Sequence, residues 1–211
     1  KGSGEYLSLA DSDDWNFGSG NFTIDFWVKM NDVTKREMLF SQSQSPGNAI
    51  MFDFYSNQLR LQVDLGGNGI ISHYVSFTPT LNTWHHIALV RSGNTFTTYS
   101  NGVSLGSSSY SDSIPDFAAV FAIGSRYHTT SLVWELFFNG WLDELRISKG
   151  IARWTSNFTP PSAPYDVDTT PPTVGTTSPA SSATGVGVST AISATFSEDV
   201  DSSTITTSTF T

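Results

Sequence analysis

The sequence predicts an all-β chain, built as a two-sheet antiparallel sandwich, on three observations. Apolar and polar residues alternate with a period of two in run after run, turn-forming pairs separate the runs at short intervals, and no window sustains a helical period. The first clear strand covers 22–30. Phe22, Ile24, Phe26, Val28 and Met30 share one face, while Thr23, Asp25, Trp27 and Lys29 share the other. Leu59, Leu61 and Val63 then alternate with Arg60, Gln62 and Asp64, and Ile71, His73, Val75 and Phe77 alternate with Ser72, Tyr74 and Ser76. Ile87 and Leu89 mark a further strand within His85–Arg91. Ser56-Asn57, Gly66-Gly67-Asn68-Gly69, Ser92-Gly93-Asn94 and Asn101-Gly102 punctuate these runs. An Asn-Gly pair suits a type I′ hairpin, because both residues tolerate positive φ. Strands so joined are antiparallel, and one-sided apolar faces need a second sheet to cover them.

Composition narrows the function classes. Hydrophobic residues make up 38% of the 211 and aromatic residues 13%, enough to fill a core between two sheets. The net charge of −9 repels nucleic acid and anionic membrane surfaces, so neither is expected as a partner. No apolar run approaches membrane-spanning length, so no membrane insertion is expected. There are no cysteines, which removes disulfides and thiolate metal sites. The chain begins at Lys1 without an initiator Met or hydrophobic leader, which predicts a mature or excised product.

Two regions are expected, 1–165 and 166–211. All six Trp lie between Trp15 and Trp154, and all ten Lys and Arg between Lys1 and Arg153. The seam carries Pro160-Pro161-Ser162-Ala163-Pro164 and Pro171-Pro172, which reads as a stiff linker. In the second region Ile192, Ala194 and Phe196 alternate as one strand face. Thr170-Pro171-Pro172-Thr173-Val174 and Thr195-Phe196-Ser197-Glu198-Asp199-Val200 resemble phrases of bacterial Ig-like domains. Such domains need about 100 residues and seven strands, so the resemblance implies the start of one, with exposed edges open to self-association by strand addition.

The run Phe138-Asn139-Gly140-Trp141-Leu142-Asp143-Glu144-Leu145-Arg146-Ile147-Ser148-Lys149-Gly150-Ile151-Ala152-Arg153 resembles the closing-strand signature of bacterial laminin-G-like, concanavalin A-like β-sandwiches. Gly4-Glu5-Tyr6-Leu7-Ser8-Leu9, Phe22–Val28, Thr83–Arg91 and Ala122-Ile123-Gly124 resemble the family's other phrases, in order. The resemblance implies a concanavalin A-like jelly roll over 1–165, with Tyr6–Leu9 paired beside Leu142–Ile147. It also implies an extracellular, cell-surface or phage-virion setting.

Catalysis is not expected. Sandwich hydrolases place acids at alternate strand positions so that one protonates a leaving group while the other attacks or activates water. Here Asp143 and Glu144 are adjacent, so regular strand geometry points them to opposite faces. The same logic separates His85 from His86, leaving one packed and one at the surface. Ca²⁺ is the metal to weigh, because it takes oxygen ligands. Ile114-Pro115-Asp116 resembles the calcium loop of animal laminin-G domains, which implies Ile114 and Asp116 as ligands with Asp53 or Asp64 as partner; the likeness to sandwich enzymes that hold a structural ion beside the terminal strands implies Asp143 as the alternative. A glycan, or a glycosylated surface, is the expected partner, since sugar C–H faces stack on aromatic rings and polar side chains read the hydroxyls. The long segment between Gly124 and Phe137 supplies Arg126, Tyr127, His128, Trp134 and Glu135, and Tyr74 stands on an outward strand face. Trp27, Trp141 and Trp154 fall in family phrases and read as packing residues.

Overall fold

The structure is a computed structural model that describes residues 4–165 and 172–197. It divides into two compact units, Lys1–Tyr165 and Asp166–Thr211. In chain order the strands are β1 (Leu7–Leu9), β2 (Phe22–Met30), β3 (Glu37–Ser45), β4 (Asn48–Tyr55), β5 (Gln58–Leu65), β6 (Asn68–Ser76), β7 (Trp84–Ser92), β8 (Thr95–Ser100), β9 (Val103–Ser109), β10 (Phe121–Ile123), β11 (Arg126–His128), β12 (Val133–Glu135), β13 (Gly140–Lys149), β14 (Val174–Ser178) and β15 (Ser193–Phe196). One 3₁₀ turn, Asp13–Trp15, is capped by the Ser12 hydroxyl.

The first unit holds a six-stranded sheet, β1-β10-β3-β4-β5-β6, and a five-stranded sheet, β13-β2-β7-β8-β9, all pairs antiparallel. The alternation read from β2, β5 and β6 sets their inward faces. Phe22, Ile24, Phe26 and Val28 meet Phe40, Phe52, Phe54, Leu61 and Val63 in one Phe-rich core. His73 follows the apolar rhythm of β6 into the interior, where Ser108 and Thr98 hydroxyls satisfy its ring nitrogens at 2.9 and 3.0 Å.

One expectation needs correcting. The first and last strands are not paired: β1 joins β10 at the edge of one sheet, and β13 joins β2 at the edge of the other. Tyr6 and Leu7 still lie near Leu142, because both line a gap of about 230 Å³ that Phe138 also borders. The strands therefore face each other between sheets instead of sharing a ladder. The proline-bearing stretch before Tyr165, read as a stiff linker, is held against the first unit. Residues 151–165 run back as an arm over the outer face of the five-stranded sheet. Trp154 and Phe158 stack at 3.9 Å and pack with Ala152 on Ala88, Val90 and Tyr99. Gly102 makes this possible: φ is +77°, and a Cβ there would run into the Phe158 carbonyl, whose own N–H donates to Gly102 O at 2.9 Å.

In the second unit β14 and β15 pair antiparallel, with Ala194 and Phe196 the less exposed residues of β15. Thr170, Pro171 and Glu198–Val200 of the Ig-like phrases lie outside the described residues.

Candidate functional site

The outer face of the five-stranded sheet is laid down by the odd-numbered residues of β2. Thr23, Asp25, Trp27 and Lys29 stand in register with Val90, Ala88, His86 and Trp84 of β7. At one end the arm seals this face around a charge network. Asp25 is wholly buried and accepts from Arg146 Nε and Nη2 at 3.1 and 2.9 Å and from the Tyr165 hydroxyl, with His86 Nε2 at 3.3 Å. Burial pushes the Asp25 carboxyl upward, but the contacts from His86, Arg146 and Tyr165 outweigh it and hold its pKa below the usual carboxylate value. Burial and the bond to Asp25 push the Tyr165 phenol well up. His86 is the packed and His85 the more exposed of the histidine pair, as expected.

At the other end the same face stays open. A cleft of about 600 Å³ is lined by Trp27, Trp84, Asn101, Asp143, Glu144 and the arm residues Pro160 to Pro164. A β-bulge builds its acidic wall. Asp143 sits opposite Trp27 and Arg146 opposite Asp25, so β13 spends an extra residue there. Glu144 takes it up at φ +52°, while Leu142, Leu145 and Ile147 keep packing on the core. Asp143 and Glu144 therefore border one cleft, contrary to the regular alternation assumed for them. The Glu144 carboxylate accepts the Tyr165 N–H at 2.8 Å, and Asp143 accepts the Glu144 N–H at 2.9 Å. Trp84 and Trp141 are 38% and 41% exposed, with the Lys29 ammonium over both rings at 5.2 and 4.0 Å. Trp141 is thus an exposed residue, not the packing residue expected. Trp154 does pack, and Trp27 combines an edge contact on His86 with the cleft wall.

The structure brings Arg126, Tyr127, His128, Trp134 and Glu135 together as the β11–β12 hairpin, with Arg126 opposite Glu135 and Tyr127 opposite Trp134. It mates them largely with one another. Trp134 stacks on Tyr6 at 4.0 Å and takes the edge of Tyr127 at 5.3 Å. Arg126 pairs with Glu135 at 3.8 Å, and His128 Nδ1 accepts the Ser131 N–H at 3.1 Å. Tyr74, 41% exposed, stands apart on β6, with its hydroxyl 3.4 Å from Gln62 and the Arg60 guanidinium over its ring at 5.7 Å. Sequence reasoning missed Trp84 and Asn101. Their signal was a Trp and an Asn at the two ends of a β7–β8 hairpin.

A family model described as the concanavalin A-like lectin/glucanases superfamily matches residues 1–153. The chain belongs to this superfamily. A model of the bacterial Ig-like domain matches residues 168–211. Among solved structures, the chain is similar to domain 4 of a GH43 extracellular arabinanase from Geobacillus stearothermophilus in complex with arabinotriose (TM-score 0.54, 21% identity, covering 69% of this chain and 66% of that one). It is also similar to domains LG4-5 of the mouse laminin α1 chain (0.54, 19%, 70% and 43%). A third is a Bacteroides ovatus protein described as carbohydrate binding (0.53, 18%, 74% and 43%). The match thus spans less than two thirds of each of these chains, and at these identities the likeness shows the fold. No curated protein matches the sequence.

Of the carboxylates implied as calcium ligands, Asp53, Asp64 and Asp143 already accept bonds from the protein. Asp53 is buried, with its carboxylate taken by Arg36 at 2.6 Å and by Arg60 at 2.7 and 2.9 Å. Asp64 accepts from the Gln62 amide at 3.0 Å, and Ile114 is buried with its N–H donating to Gly18. Asp116 is exposed on the segment that follows, and Asp143 belongs to the cleft. Among the described residues no group of three or more His, Asp or Glu side chains could hold a metal. No described helix is long and apolar enough to cross a membrane.

Proposed function

We propose that this chain is a non-catalytic, extracellular recognition module that binds carbohydrate, or a glycosylated surface, in the outer-face cleft and serves adhesion. The observation that carries the reading is the cleft itself. Two indoles, Trp27 and Trp84, offer apolar faces for sugar C–H groups, and Asn101, Asp143 and Glu144 offer hydrogen-bonding groups beside them. Its volume lies within the range of ligand pockets. The superfamily assignment and the carbohydrate-binding descriptions of two similar structures support the ligand class. The pairing with an Ig-like domain supports the extracellular setting, where such domains act as spacers. The non-catalytic reading is supported by the anchoring of Glu144 to the Tyr165 backbone and of Asp143 to the Glu144 N–H, which gives both carboxylates structural duties.

A broad glycan array tests the proposal. Wild-type protein binds at least one glycan class, Trp84→Ala lowers that affinity tenfold or more, and no reducing sugar is released from the bound glycan. An array without any binder, or equal binding by Trp84→Ala, would refute it.

A further inference from the structure

One row of the outer face continues past the cleft. Trp141 of β13, Lys29 of β2 and Trp84 of β7 stand side by side in the ladder, next to the row of Asp143, Trp27 and His86. Residues paired across strands point to the same face of a sheet, so the two indoles flank the lysine. Trp84 also lines the cleft, whereas Trp141 lies outside its lining. Trp84 is therefore common to the cleft and to the row.

The two rings of this row are unlike the other described tryptophans. Trp15, Trp27, Trp134 and Trp154 each meet another aromatic or imidazole ring. Among the described residues, the ring partner of Trp84 and of Trp141 is the Lys29 ammonium, at 5.2 and 4.0 Å. An ammonium covers at most one face of a ring, and Trp84 and Trp141 stay 38% and 41% exposed. Large apolar side chains scattered singly over a surface need no explanation, but these two adjoin the indole of Trp27 and form one aromatic strip with it.

Lys29 supplies the polar part. It is half-buried, and its ammonium has three N–H donors. Among the described residues no oxygen accepts from it, and the two π faces hold it in place. A surface with two open indoles and a fixed donor group between them suits a ligand that alternates apolar C–H faces with hydroxyl oxygens along its length. A saccharide chain has that build.

We infer that Trp141, with Lys29, extends the cleft into a longer platform, so that an unbranched glycan chain runs from the cleft over Trp84 to Trp141. Two strand spacings, about 9.5 Å, separate the backbones that carry the two indoles, which is the reach of a disaccharide unit. One sugar stacks at Trp84, the Lys29 ammonium donates to hydroxyls of the stretch between, and Trp141 packs on a unit further along. The inference rests on the carbohydrate reading of the cleft and deepens it, naming the ligand as an extended chain longer than a disaccharide. Trp141 then sets the preference for chain length, and the cleft sets the binding of the first units.

The test is isothermal titration of the full chain with cello-, xylo-, chito- and arabino-oligosaccharides, each from dimer to hexamer. In wild-type protein, affinity in at least one series rises tenfold or more between dimer and hexamer. Trp141→Ala loses that rise, keeps dimer affinity within about twofold of wild type, and leaves denaturant unfolding unchanged. Lys29→Met, which keeps the apolar stem and removes the donors, also weakens the hexamer and spares the dimer. Trp84→Ala weakens every length. Equal affinity for dimer and hexamer in wild-type protein, an unchanged hexamer affinity in Trp141→Ala, or no binding in any of the four series would overturn the platform. The glycan array decides the cleft separately. An array binder without length dependence leaves the cleft standing and removes the platform, and an array with no binder removes both.

Discussion

One sheet face does two different things. Around Asp25 the outer face of the five-stranded sheet is sealed, with Ala88, Val90 and Tyr99 covered by Trp154 and Phe158 and every Asp25 oxygen engaged. Four residues further along the same strands, around Lys29, Trp84 and Trp141 stay exposed and a cleft opens. Both halves are built from aromatic and charged residues in the same alternation. What separates them is exposure: Asp25 and His86 are wholly buried under the arm, whereas the rings of Trp84 and Trp141 reach the surface. In the open half Asn101, Asp143 and Glu144 also make internal bonds, but they border a cleft beside exposed rings.

Disrupting the sealed half has the largest expected effect. Asp25→Ala leaves Arg146, His86 and the Tyr165 hydroxyl without their common acceptor, and removing one partner of such a buried set costs about 3–5 kcal/mol. Denaturant unfolding reads this directly, and a loss under about 1 kcal/mol would show that the network does not hold the arm. The pH dependence has a fixed sign. The Asp25 pKa is depressed in the folded state, so its stabilisation is present above the ordinary carboxylate value of 3.8 and is lost as pH falls through the lower folded value. Asp25→Ala therefore flattens the acid limb of the stability curve below pH 3.8, where wild-type protein falls. Next in size is Phe158→Ala, which removes a ring stacked on Trp154 and set edge-on to Tyr99 and His86. A loss of about 2–3 kcal/mol is expected, below the full core value because Phe158 is only half-buried.

Much of this contrast was legible in the residues, and the rest was hidden for definite reasons. Alternation in β2 placed Asp25, Trp27 and Lys29 on one face, and the signature around Asp143 identified the closing strand. Alternation cannot say what covers a face. The arm reads as a linker because its prolines forbid strand pairing, yet they leave side-chain packing on Tyr99 and Ala88 possible. The bulge at Glu144 broke the period-two rule for one residue, which put Asp143 and Glu144 beside one cleft. The cleft joins positions near 27, 84, 101, 143 and 162, and no local pattern links them. The hairpin was the reverse case. Its residues were close in sequence and easy to nominate, but pairing them across two short strands spends much of their bonding capacity inside the hairpin.

The open half is expected to respond in function more than in stability. Trp84→Ala lowers glycan affinity tenfold or more, equivalent to about 1.4 kcal/mol, while unfolding free energy changes by about 0.5 kcal/mol or less because the ring is exposed. Isothermal titration on the glycan selected by the array, with unfolding on the same samples, separates the two. A large stability loss without an affinity change would place Trp84 with the sealed half instead.

The smallest expected effect on binding falls on the hairpin, and it sharpens the contrast most. Trp134 has the size and chemistry of a sugar platform, but its ring lies 4.0 Å from Tyr6 and 5.3 Å from Tyr127. Trp134→Ala removes both contacts, and aromatic pairs of this kind contribute about 0.5–1.5 kcal/mol each beyond area. Unfolding free energy should drop by about 1–2 kcal/mol, with glycan affinity held within about twofold of wild type because the cleft lies elsewhere. Should Trp134→Ala instead abolish binding and leave stability intact, the hairpin is the recognition surface, and partnered rings on this fold remain open to sugar.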